Sequence, residues 1–272
     1  MTPQLEADLV AQARRGDRAA FESLVAPLRG PLRSYICRMI TSPQDADDLL
    51  QEVMVRGLES VAGFRRESGF KTWLFGIATH VCLDHLRARK RWRAEAQLAG
   101  EREAEGSSDI LERMQAIVAQ PDFLFEIREH IAFCFTCVAR TLEPEEQAAL
   151  MLREVLGFSN EESASILSLS EPVFRHRLSG ARSAMTKVFD GLCTLINKTG
   201  HCYQCRGLRE WVPRDKRGAD LVQIEVAPGV AVTPDSLLDA RLEIVRGADP
   251  EGRTAPLHRY FYAGISHREE SR

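Results

Sequence analysis

Between Pro144 and Arg182 the punctuation of the chain leaves the backbone little freedom. Pro144 suits the first turn of a helix and Gly157 its end. Ser159 and Glu162 have the spacing of a capping box, so a short helix follows to Leu167. Ser168-Leu-Ser-Glu-Pro then makes a tight turn into a last helix from about Glu171 to Ile196. That second helix carries Arg175, His176, Arg177, Ser179 and Arg182. Such a pair can place its second helix in the major groove of DNA, where arginine reaches guanine edges or phosphates. On spacing alone, a plain helical hairpin with a solvated basic face is equally good.

Residues 4–95 also read as helical. Leu9, Ala13, Ala20, Phe21, Leu24, Val25 and Leu28 recur at helical spacing, Gly30-Pro31 breaks or kinks the run, and Leu32, Tyr35, Ile36 and Met39 resume it. Thr41-Ser42-Pro43 opens a helix with Asp45, Asp47 and Asp48 in its first turns, where negative charge suits the dipole. Its apolar face is Leu49, Leu50, Val53, Met54 and Leu58. The spacing predicts one long helix from Phe70 to Arg93, apolar at Trp73, Leu74, Ile77, Val81 and Leu86.

The formal charge of -3 conceals a segregation that matters more than the mean. From Phe64 to Arg93 eight cations (Arg65, Arg66, Lys71, Arg87, Arg89, Lys90, Arg91 and Arg93) face only Glu67 and Asp84. Just upstream, Asp45, Asp47, Asp48, Glu52 and Glu59 face only Arg56. Opposite charges on separate segments suggest separate partners.

The 272 residues suffice for about two domains. No apolar run approaches the ~20 residues that span a bilayer, and the first residues lack the apolar core of a signal peptide. The expectation is a cytoplasmic protein whose thiols stay reduced unless a sensor or a metal uses them. Gly100-Glu-Arg-Glu-Ala-Glu-Gly-Ser-Ser is too polar to pack and reads as part of a linker. Beyond Pro213 the period shortens: Val222, Ile224 and Val226, then Leu242 and Ile244, alternate with polar residues, and Arg259 to Ile265 is a third candidate strand. The fold class expected is mainly α: two helical domains joined by a flexible linker, plus a small β-rich C-terminal extension.

Two CxxC pairs stand out among the seven cysteines. His130, Cys134 and Cys137 fall on one helical stripe at i, i+4 and i+7, and Cys202 with Cys205 follows in His201-Cys-Tyr-Gln-Cys. Thiolate and imidazole are good zinc ligands, and four of them close a structural tetrahedron. The favoured set is Cys134, Cys137, Cys202 and Cys205, with His130 or His201 as a substitute for any one. A redox dithiol and inert thiols are the other two readings; the apolar surroundings of Cys134 and Cys137 suit simple burial. Cys37, Cys82 and Cys193 lie on apolar helical faces and read as core.

Asp45-Ala-Asp-Asp-Leu-Leu-Gln-Glu-Val, followed by Phe70-Lys-Thr-Trp-Leu-Phe-Gly-Ile-Ala-Thr-His-Val-Cys-Leu-Asp-His-Leu-Arg, resembles region 2 of bacterial sigma factors of the extracytoplasmic-function (ECF) group. Leu142-Glu-Pro-Glu-Glu-Gln-Ala-Ala-Leu, with Phe158 to Leu167 and Val173 to Arg182, resembles region 4 of the same group. The two lie in the family's order and cover roughly residues 5–195. The resemblance divides the chain into region 2 over 1–95, an acidic linker over 96–126 and region 4 over 127–198, leaving a cysteine knuckle over 199–214 and an extension over 215–272.

The resemblance implies partners: core RNA polymerase, promoter DNA and an anti-sigma factor. Asp45, Asp48, Gln51 and Glu52 match the helix that docks on the clamp helices of the polymerase's largest subunit. The loop from Phe64 to Gly69, with Arg65 and Arg66, matches the pocket for a flipped base of the −10 element. His80, Asp84 and Arg87 match the −10 reading face, and Arg87, Arg89 and Lys90 would neutralise phosphates. Arg175, His176, Arg177 and Arg182 match the −35 reading helix. The His130, Cys134, Cys137 spacing is also similar to the zinc-binding helix of certain anti-sigma factors.

The sequence departs from the family pattern at His80, where Asn is usual, at Gly76, Thr79 and Gly180, where Arg is common, and at Phe174, a usual aliphatic position. These changes bear on promoter sequence and DNA affinity. Enzyme readings find no support: the chain has no GxSxG, P-loop or HExxH motif. The competing function is a helix-turn-helix regulator, or a metal or redox sensor, that never joins polymerase.

Overall fold

The computed structural model describes residues 1–40, 43–88, 131–132, 134–192, 229–231 and 233–248. Packing divides the chain into two compact units that are not consecutive in sequence. One comprises Met1–Arg89 with Glu143–Ser179, and the other Lys90–Leu142 with Gly180–Arg272.

The first unit begins with five helices: α1 (Pro3–Ala13), α2 (Arg18–Val25), α3 (Arg29–Ile40), α4 (Pro43–Ser60) and α5 (Phe70–Ala88). Local chemistry sets their starts. The Thr2 hydroxyl caps α1 with Pro3 in its first turn, and the Asp17 carboxylate accepts from the Ala20 N–H at 3.1 Å to cap α2. The expected break lies in the 3₁₀ turn Ala26–Leu28, so Gly30-Pro31 falls in the first turn of α3, where proline lacks no needed donor.

Helix α5 is the axis of this unit. Leu74, Phe75, Ala78, Thr79 and Cys82 are fully buried, as are Leu32, Tyr35, Ile36 and Met39 of α3 and Val53 of α4, and the Phe75 ring meets that of Tyr35 at 5.7 Å between centres. The Tyr35 hydroxyl lies 2.9 Å from Thr79 Oγ1, which donates to the Phe75 carbonyl at 2.7 Å. Thr79 is thus a core residue, and an arginine there would bury an uncompensated charge. Gly57 lets α4 approach, since a Cβ there would come within 3.0 Å of the Phe21 ring and 3.2 Å of Leu74.

The unit also contains α6 (Pro144–Leu150), which runs into the π turn Met151–Val155, α7 (Asn160–Ile166) and the start of α8 (Glu171–Leu192). Gly157 has φ +73°, the left-handed region that ends a helix without a Cβ penalty. The capping box forms as the spacing predicts: the Glu162 N–H donates to Ser159 Oγ at 3.0 Å, and the Ser159 N–H donates to Glu162 Oε2 at 2.8 Å. Buried Gln147 ties α6 to α3 by donating its amide to the Arg38 and Met39 carbonyls at 3.3 and 3.0 Å. Those carbonyls belong to the last turn of α3, where a helix leaves its acceptors orphaned.

The second unit contains a helical segment at 134–139, the rest of α8 and α9 (Pro234–Gly247). Phe135 and Phe189 stack with ring centres 6.0 Å apart. Helix α9 corrects the β-rich expectation. Leu242 and Ile244 lie in a helix, opened by Thr233, whose hydroxyl accepts from the Ser236 N–H, and by Pro234 in the first turn. Its buried residues Leu238, Arg241, Leu242 and Val245 follow the i, i+3, i+4, i+7 pattern of one helical face. No strand occurs among the described residues. The candidate strands at Val222–Val226 and Arg259–Ile265, the whole 96–126 linker, and the expected continuation of the last helix beyond Leu192 lie outside them.

Candidate nucleic-acid interface

Helix α4 buries Ala46, Leu49, Leu50 and Val53 and turns its acidic face outward. Asp48 and Gln51 are exposed, while Asp45 and Glu52 are half-buried. Glu52 pairs with Arg56 at 2.5 Å, and Asp45 lies 3.9 Å from His85. Val55, 55% exposed, shares the stripe with Asp48, Gln51 and Glu52. These polar side chains, with Val55 at the C-terminal end of the stripe, make a surface suited to a basic protein partner with some apolar area.

The loop after α4 is built on aromatic packing. The Phe64 ring is buried, with centres 5.0 Å from Trp73 and 6.0 Å from Phe70, so it supports the loop from below. Arg65 is exposed, 3.8 Å from Glu67. Arg66 has φ 62°, and its guanidinium donates to the Ala7 carbonyl.

On α5, His80 is exposed and its Nδ1 lies 2.7 Å from the Gly76 carbonyl. A carbonyl can only accept, so Nδ1 is the donor in this contact. Asp84 is exposed, and Arg87 reaches it at 3.4 Å and Glu145 at 2.7 Å. Arg89 and Lys90 lie outside the described residues. Within the unit, a cavity of about 610 Å³ is lined by Ser68, Thr72, Trp73, His80, Arg56 and Ser165, among others. The half-buried Trp73 therefore has an aromatic surface at a cavity as well as a role in packing.

Helix α7 and the residue before its cap lie on this same face of α5. Phe158 is buried with its ring centre 5.1 Å from that of Phe75, and the Lys71 ammonium sits 4.5 Å from the Phe158 ring centre. Thr72 donates to Glu162 at 3.4 Å. A Cβ on Gly76 would stand 4.0 Å from the Ile166 carbonyl. The Glu162 carboxyl is held below its ordinary pKa, first by the Ser159 N–H that donates to it.

On α8, Arg175 and His176 are exposed, Arg177 is half-buried and Phe174 fills its position in the core. Arg175 pairs with Glu171 one turn earlier. Arg182 is only 25% exposed and meets Asp239 of α9 at 2.7 Å. The sequence reading omitted Asp239, Asp235 and Thr186, because acids four residues apart share a face only once their segment is recognised as a helix.

Cys137 is buried, with its thiol pushed up to about 12 by burial, while Cys134 is half-buried. Cys37 and Cys82 are buried, as their apolar surroundings predict. His130, Cys193, His201, Cys202 and Cys205 lie outside the described residues. Among the described residues no three His, Cys, Asp or Glu side chains are grouped to hold a metal ion, and no helix is long and apolar enough to cross a membrane.

Residues 24–92 match the family Sigma-70 region 2, and residues 132–185 match Sigma-70, region 4. The ECF RNA polymerase sigma factor SigG of Mycobacterium tuberculosis is 32% identical over 189 residues, covering 65% of this chain and 50% of that protein. The chain thus spans about half the length of that relative. The RNA polymerase sigma-H factor of Pseudomonas aeruginosa is 28% identical over 194 residues, covering 71% of this chain and 97% of that one. Among solved structures, CnrH in complex with the cytosolic domain of CnrY aligns with TM-score 0.47 and 22% identity, over 68% of this chain and 97% of CnrH. The ECF RNA polymerase sigma-E factor of Escherichia coli is 31% identical over 181 residues, covering 65% of this chain and 90% of that factor. Two regions in order, and a relative matched over nearly its whole length, place this chain in the family of ECF RNA polymerase sigma factors.

Proposed function

We propose that the chain binds core RNA polymerase, directs it to promoters through −10 and −35 elements and helps open the −10 region. It acts through binding energy rather than covalent catalysis. The observation that carries this reading is the presence of both regions in order on one chain, with the near-complete match to a sigma-E factor. The outward acidic stripe of α4 supports polymerase docking on the largest subunit's clamp helices. The basic loop, the half-buried Trp73 and the exposed His80 ring support reading of a splayed strand, whose bases stack on aromatic surfaces. The exposed Arg175 and His176 of α8 support −35 reading. The same surfaces suit an anti-sigma factor that competes for them.

Tagged full-length chain mixed with purified core polymerase is expected to co-elute on gel filtration and to support transcription from promoters selected by sequencing its transcripts. A chain that binds DNA but never co-elutes with polymerase is a regulator of another kind.

The cysteines carry a separate part of the proposal: one structural zinc held by Cys134, Cys137, Cys202 and Cys205. Cys134 and Cys137 lie three residues apart on a helical segment, so two thiolates can reach one ion. Binding would displace a proton from the buried Cys137 thiol. Native mass spectrometry is expected to find one zinc per chain, lost in Cys202→Ser. A metal-free chain that loses about two mass units per cysteine pair on mild oxidation would replace the zinc with a dithiol switch.

A further inference from the structure

From the contacts between α8 and α9 we infer that α9 is an intramolecular competitor for the DNA phosphates that the C-terminal half of α8 would contact. The inference rests on the −35 reading proposed for α8 and gives the C-terminal extension a regulatory part in it.

Arg175, Ser179, Arg182 and Thr186 stand at i, i+4, i+7 and i+11 of α8 and so form one stripe, about 16 Å long at 1.5 Å per residue. Its first member is exposed and cationic. Its last two are engaged by α9: Arg182 donates to Asp239 at 2.7 Å, and Thr186 donates to Asp235 at 3.3 Å. Asp235 and Asp239 are themselves one turn apart on α9. Two carboxylates at that interval present to α8 an arginine acceptor and a hydroxyl acceptor, the same pair of interactions that successive phosphates of a DNA strand offer.

The placement of the acids is not left to surface charge alone. Arg241 of α9 is 2% exposed, and its guanidinium lies 4.4 Å from the ring centre of Phe189 on α8. A cation stacked on an aromatic face gains more when desolvated than at an exposed site. Leu238, Leu242 and Val245 are buried on the same helix. Arg241 on the Phe189 ring holds α9 beside α8, while Asp235 and Asp239 meet the polar stripe of α8. Asp239 remains 61% exposed, so the ionic contact is screened and exchangeable, as a competitor for DNA should be.

The test uses the full chain and a fluorescent random-sequence duplex at low salt, which senses the phosphate contacts without needing the promoter. In the Asp235→Asn, Asp239→Asn double variant the affinity is expected to rise about threefold to fivefold, the scale of one partly exposed ion pair. The control, Asp8→Asn with Glu22→Gln, removes two exposed charges far along the chain and should give a smaller rise from net charge alone. The excess should vanish when Arg182→Ala is added to the α9 variant. No excess over the control, or an excess that survives Arg182→Ala, overturns the inference. Polymerase co-elution plays no part in this readout. A chain that fails to bind polymerase sinks the functional reading, whereas a polymerase-binding chain without the excess sinks only the role of α9.

Discussion

Replacing Phe158 with alanine is expected to destabilise the first unit by about 3–5 kcal/mol, the usual range for removing a buried phenylalanine from a core. The ring is 2% exposed, meets Phe75 edge-on at 5.1 Å and lies under the Lys71 ammonium. No neighbour can fill the space without leaving its own contacts, because Phe75 is fully buried and wedged against Tyr35, 5.7 Å away between ring centres. Urea unfolding should show a lower midpoint for Phe158→Ala, while Val173→Ala, at a site 45% exposed, stays within about 0.5 kcal/mol of the parent. Equal midpoints for the two variants would mean that Phe158 is not packed on α5.

The second large effect is on association. Asp48→Lys combined with Glu52→Lys should weaken binding to core polymerase by about tenfold to a hundredfold, because like charges brought together at an interface cost several kcal/mol. The two positions are one turn apart on the outward face of α4, and the Glu52–Arg56 pair they disturb is a surface pair worth little to folding. The melting temperature should therefore hold while the competition titration against wild-type chain shifts. An unchanged titration would remove α4 from the polymerase interface. Raising salt should weaken the parent complex and narrow the gap between the two proteins, since exposed charges are screened over about 8–10 Å.

Local chemistry was legible from the residues themselves. Pro144, Gly157 and the Ser159–Glu162 pair fix helix ends through hydrogen bonds spanning three or four positions, so the helix pair could be placed from its letters. The segregated charges of α4 and α5 were legible for the same reason. The misreading of α9 has an equally local cause. Leu242 and Ile244 alternate with polar neighbours over too short a stretch to separate the two periods, and the deciding signal lies upstream, in Thr233-Pro234-Asp235-Ser236 and the spacing of Leu238, Leu242 and Val245. What no local pattern reveals is pairing across distance. Gln147 caps a helix end 108 and 109 residues away, and Arg182 meets an acid 57 residues on. Thr79, expected as a substitute for a DNA-facing arginine, proved to be a buried hydrogen-bond partner of Tyr35.

The packing of α7 on α5 sets a ruler beside the promoter. The −35 and −10 elements are, by their names, about 25 base pairs apart, or roughly 85 Å of duplex at ~3.4 Å per step. A compact body of the first unit's size has a radius of gyration of about 14 Å. On the promoter reading proposed above, a body of that size spans less than the separation of the two elements. On that same reading, the buried Phe158–Phe75 contact that holds the first unit together is also the one whose release would lengthen the reach of the factor along DNA.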